Sequence, residues 1–170
     1  MTTIPTVERS RPPLTGDERT LLTAFLEFHR GTVRVRCTEL SLTTDDRRKT
    51  GPPQLIRPVD LVAHLRWLEH FWCEVVLAGR HGRAPYTEHE PEASFRVSGD
   101  STLPQVLAEY ERQCESSRRI LAALDLDHEV VWHTRRTNVR WVFLHLIEET
   151  ARHNGHLDAV RELIHSATGE

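Results

Sequence analysis

A chain of 170 residues with 22 basic and 25 acidic residues, a net charge of −3 and 38% hydrophobic content fits one domain, large enough to bury a core without disulfides or a structural metal. The near-neutral balance offers no basic footprint for DNA or RNA, and no homeodomain, finger or RNP pattern is present, so nucleic acid is not the expected partner. No apolar run approaches the roughly 20 residues of a membrane-spanning helix, and Met1 to Arg9 lack the layout of a signal peptide, so the expectation is a cytoplasmic protein without a membrane partner.

Residues 1–15, rich in Thr, Pro and Arg without an apolar period, read as an extended N-terminal arm, with one domain over 16–170. Leu21, Leu22, Phe25, Phe28 and Val35 recur at helical spacing, and Asp17 and Glu18 suit a first turn, so a first helix is expected from about Asp17 to Leu40. Thr43 to Ile56, with Gly51 and Pro52-Pro53, reads as a loop. A second helix starts near Pro58, carries Leu61, His64, Leu65, Leu68, Phe71, Trp72 and Val75, and stops at Gly79. Arg80 to Asp100 has no sustained period and is a long connection, the kind that crosses a bundle or lines a site.

Ser101 or Asp100 can cap a third helix bearing Leu103, Val106, Leu107, Tyr110, Ile120, Leu121 and Leu124. Asp125 to Asn138 is a second loop, and a fourth helix runs from near Asn138 to about His165 or Ser166. Only Ser94 to Val97 and Glu129 to Trp132 carry strand signals. Four long helices define an all-α four-helix bundle. Cys37, Cys73 and Cys114 are odd in number and not spaced as CxxC, so they read as reduced, structural thiols.

Eleven histidines are the unusual feature of the composition, and their meaning lies in their helical phase. At about 100° per residue, His145, Glu149, His153 and His156 fall within roughly 40° of one line, close to that of the apolar Val142 and Val160. Asp158 points the other way. Burying a carboxylate with several imidazoles is costly unless each is partnered, and a metal ion suits them all. Glu149 and His153, four apart, place two donors on one face, and a further ligand must come from another helix. His64 lies on the apolar stripe of helix two, whereas Glu69 and His70 fall well off it. His145 reads either as a residue beside the site facing substrate or as an inward histidine bonded to a backbone carbonyl. The loop histidines, His81, His89, His128 and His133, read as solvent-exposed.

Leu61-Val-Ala-His-Leu-Arg-Trp-Leu-Glu-His-Phe-Trp72, Phe95-Arg-Val97 and above all Glu148-Glu-Thr-Ala-Arg-His-Asn-Gly-His-Leu-Asp158 resemble the actinobacterial, mycothiol-dependent branch of the DinB superfamily, over nearly all of 16–169. The resemblance implies a bundle of up-down-down-up order, with a divalent metal held between helices two and four. It places the ligands on His64, Glu149 and His153; His156 stands where relatives often carry Gln, which leaves a set of His64, His153 and His156 open. Zinc leads as the metal, with nickel, iron and manganese suited to the same donors. The implied activity is thiol S-transfer with mycothiol as co-substrate and an electrophile as second substrate. A thiol-dependent isomerase like maleylpyruvate isomerase, using the same metal site, and a non-catalytic ligand-binding bundle are the alternatives. Bundles of this kind commonly form homodimers.

Overall fold

The structure, a computed structural model, describes residues 9–43, 56–82, 89, 93–97 and 101–168. Helix α1 spans Glu18–Thr43. It opens where Asp17 accepts hydrogen bonds from the Thr20 amide at 3.0 Å and the Thr20 hydroxyl at 2.6 Å, an N-cap that satisfies a donor the helix itself cannot. Its buried stripe is Leu26, Val33, Cys37 and Leu40, while Phe25 is 45% exposed. The expected stripe through Phe25 and Val35 is thus turned by about one residue. α1 carries apolar side chains on two adjacent faces, and periodicity does not say which of them its neighbours cover. Ahead of α1, Arg9 donates to Thr32 at 3.0 Å and lies over the Phe28 ring, so this part of the arm is seated on the bundle.

Helix α2 spans Pro58–Glu69 and runs straight into a π-helical segment over His70–Leu77. The segment closes with the Ala78 amide bonded to the Cys73 carbonyl and ends at Gly79, whose φ of +64° is a conformation that side-chain-bearing residues avoid. The wider turn slips the inward face along the chain. Beyond Phe71 the buried residues are Cys73, Val76 and Leu77, not the expected Val75. Of the connection expected over Arg80 to Asp100, a single 3-10 turn at Ala93–Phe95 is the ordered element among the described residues; it replaces the strand considered for Ser94 to Val97. Most of the loop expected at Thr43 to Ile56 lies outside the described residues.

Helix α3 spans Leu103–Ala123 and is capped by Thr102, whose amide donates to Gln105 Oε1 at 3.0 Å, so the cap falls just past the expected Ser101 or Asp100. The expected loop before the last helix contains a hairpin: β1, Glu129–Trp132, pairs antiparallel with β2, Arg135–Asn138, with Trp132 opposite Arg135. His133, at φ 54°, makes the tight turn. Helix α4 spans Val139–Thr168 and begins where Asn138 Oδ1 accepts from the Trp141 amide at 2.9 Å.

Paired residues fix the helix directions. Asn154 bonds the His29 carbonyl and Arg36 meets Asp158, so α1 and α4 run parallel. Arg66 pairs with Glu109 and Glu74 with Ser116, so α2 and α3 are also parallel. Arg34 pairs with Glu111 and Arg118 with Glu27, which makes α1 and α3 antiparallel. The order is up-down-down-up, and α2 packs against both α3 and α4. Inside, Arg30 and Glu69 form a bidentate pair at 2.8 and 2.6 Å, with side chains 3% and 2% exposed. Arg30 also holds Glu27, which in turn holds Arg118. No described helix is long and apolar enough to cross a membrane.

Candidate metal centre

α2 and α4 run antiparallel, and their facing stripes bring His64 of α2 against Glu149 and His153 of α4. One donor atom from each of the three lies within 4.8 Å of the others. His153 Nε2 stands 3.5 Å from Glu149 Oε2, and His64 Nε2 stands 3.9 Å from the same oxygen. The two imidazole rings meet at 73° with centroids 4.9 Å apart, so their edges converge on Glu149 instead of stacking.

Each ring is held from behind. His64 Nδ1 lies 2.8 Å from Ser94 Oγ, and its face stacks on Phe95 at 3.9 Å and 7°. Both partners come from the 3-10 turn of the connection, where no periodic signal marks a functional residue. His153 Nδ1 lies 3.2 Å from His156 Nδ1. His156 is exposed, and among the described residues it lies outside the group formed by His64, Glu149 and His153. Arg152, on the helix turn beside Glu149, reaches Glu149 Oε1 at 3.2 Å.

Burial sets the protonation states. It lowers the His64 pKa to about 3, assisted by His153 and Arg152, and that of His153 to about 4, assisted by His156 and Arg152. Both rings are therefore neutral near pH 7, the form that ligates metal. Burial raises the Glu149 pKa, and Arg152 partly offsets it. A decisive detail is His153 Nε2, shielded from solvent yet without a hydrogen-bond partner. A buried ring nitrogen left unsatisfied costs free energy, and a divalent ion beside Glu149 would satisfy it. Two imidazoles and one carboxylate fit such an ion and leave further coordination positions open.

His145 lies one turn before Glu149, half-buried, with Nδ1 3.9 Å from Glu148. It contributes to a second group with Glu148 and Glu149. Glu148 in that group is exposed and already bonded to Arg152. The cysteines stand apart from this chemistry: all three are buried and free, and burial pushes the Cys73 thiol up to about 12 and the other two further.

The family model described as Mycothiol-S-transferase matches residues 21–166, which include every residue of the group. No curated protein and no solved structure matches the chain. The match spans most of the sequence and both helices that carry the donors, and the chain belongs to the mycothiol S-transferase family of the DinB-like superfamily.

Proposed function

We propose that this protein is a metal-dependent mycothiol S-transferase in which His64, Glu149 and His153 hold a divalent ion, zinc before nickel, iron or manganese. The observation that carries the reading is the unpartnered His153 Nε2, facing Glu149 Oε2 at 3.5 Å, with His64 Nε2 3.9 Å from the same oxygen. Of the two ligand sets compatible with the sequence, Glu149 is favoured over His156, because His156 approaches the opposite nitrogen of the His153 ring.

The chemistry that a bound ion supplies here is a lowered thiol pKa, which makes a thiolate available near neutral pH. The chain's own residues orient and select. With Nε2 of His64 turned to the ion, its Nδ1 would carry the hydrogen and donate it to Ser94 Oγ, 2.8 Å away, which fixes the ring. His156 would hold the His153 ring in the same way. His145, kept neutral by burial, stands next to Glu149 and can accept the thiol proton. The sulfur then forms a bond to the electrophilic carbon, and the leaving group departs with its electron pair. The three buried, unpaired cysteines agree with a reducing, cytoplasmic setting.

Dialysis against a chelator, followed by metal analysis and a mycothiol conjugation assay, tests the reading. Metal-loaded protein is expected to form a stable conjugate and chelated protein to form none. Equal conjugation by both, or full metal retention by His64→Ala, overturns it. Regeneration of free thiol with a rearranged product identifies an isomerase on the same residues.

A further inference from the structure

Beside the hairpin, between the π-helical segment and the start of α4, lies a cavity of about 410 Å³. Its walls are Trp72, Trp132 and Trp141, with Arg135, Thr137 and Asn138 between them. The indoles are not a sealed core. Trp141 is 46% exposed, its ring meets Trp72 at 4.9 Å, and it stacks on His145 at 4.9 Å and 18°. Trp132 reaches down from β1 to Trp72, with centroids 6.2 Å apart.

The polar groups have capacity to spare. Arg136 is committed to Glu129 at 2.9 Å, whereas Arg135 has no carboxylate partner among the described residues. Asn138 uses its side-chain oxygen as the α4 cap and keeps its amide hydrogens to donate. Thr137 Oγ1 is shielded from solvent and has no hydrogen-bond partner.

Trp141, His145 and Glu149 succeed one another four residues apart on one face of α4. The α4 wall of the cavity, Trp141, thus lies about 12 Å along the helix from Glu149, with His145 between the two. Flat indole faces mixed with donors and hydroxyls suit a ring that is apolar on its C–H faces and polar at its rim. That describes a sugar or cyclitol. Mycothiol, the thiol of the family, carries its sulfur on a cysteine amide-linked to a glucosaminyl-inositol unit.

We propose that this tryptophan-lined cavity binds the glucosaminyl-inositol part of mycothiol, so that the cysteine arm reaches back past His145 to Glu149. The assignment rests on the mycothiol reading above. It makes the hairpin and the start of α4 the elements that separate mycothiol from simpler thiols.

The test uses calorimetry of the chelated full-length protein with thiol-free glucosaminyl-inositol, together with kinetics of the metal-loaded protein on mycothiol and on N-acetylcysteine. Glucosaminyl-inositol is expected to bind, and Trp141→Ala and Arg135→Ala to weaken it at least fivefold. The same variants should lower the ratio of kcat/KM for mycothiol to that for N-acetylcysteine about tenfold, with bound metal at the wild-type level. Arg135 is exposed and forms no ion pair among the described residues, so its variant remains informative if Trp141→Ala fails to fold. No binding of glucosaminyl-inositol, an unchanged ratio, or a rise in KM confined to the electrophile each overturns the assignment. Failure of wild-type protein to transfer either thiol defeats the S-transferase reading instead, and the calorimetry still decides the cavity.

Discussion

Glu149 shows how a single side chain acquires its meaning from what surrounds it. On the surface of α4 it would be one more solvated acid; between His64 and His153 it is the oxygen toward which two neutral imidazoles turn. Glu149→Gln, which keeps the shape and removes the charge, is expected to lower metal affinity at least tenfold in a chelator competition titration. The histidines also carry a pH signature. Burial holds the folded-state pKa of His64 and His153 at about 3 and about 4, below the ordinary 6.5, so protons bind the unfolded chain more readily. The metal-free protein should therefore keep its full stability above about pH 6.5 and lose it as the pH falls towards 4, with His29 and His145 acting in the same direction. Urea midpoints of chelated protein from pH 7.5 to 5 measure this, and His64→Ala should flatten the slope. Helical phase exposed His64, Glu149 and His153 in the sequence. It missed Glu69, which it could place only off the stripe of His64. Glu69 is buried because Arg30 from α1 meets it there, and a sequence does not say which long side chain reaches across a bundle. Glu69→Leu leaves Arg30 buried without its main partner and is expected to cost about 3–5 kcal/mol, with Arg30→Met/Glu69→Leu recovering most of the loss in the same denaturation assay.

Among the elements, helix existence was legible and helix surface less so. Pro58 and Gly79 marked the limits of the second helix because one suits a first turn and the other a positive φ. The π-helical segment between them left no mark in the pattern. A period of 3.6 residues cannot be told from a wider turn over only eight residues. Its effect is to set Phe71 and Trp72 against Trp132 of the hairpin. The hairpin itself was half legible, since Val130 and Val131 read as strand whereas Arg135–Asn138 did not. Its turn places His133 at φ 54°, a conformation that costs a side-chain-bearing residue about 1–2 kcal/mol. Replacement by Gly removes that strain and also the edge contact of His133 with Trp132. His133→Gly is therefore expected to be neutral or stabilising by up to about 1 kcal/mol in thermal unfolding, and clear destabilisation would contradict the account.

At the scale of the molecule, the up-down-down-up order explains why a segment without secondary-structure signals touches the site. Two parallel helices need a connection that returns along the bundle, and this one lays Ser94 and Phe95 on His64. Ser94→Ala should release the His64 ring and weaken metal binding by about 10–100-fold, with little change in the unfolding midpoint of chelated protein. The sequence by itself determined that the chain forms four amphipathic helices and that helices two and four each carry side chains of a kind able to ligate a metal on an inward stripe, because burial at a fixed angular period is written in the order of residues. It did not determine which donors meet. That depends on the relative height and rotation of α2 and α4, which packing decides, and it is the tertiary structure that brings His64 level with Glu149 and His153 and leaves His156 behind the His153 ring.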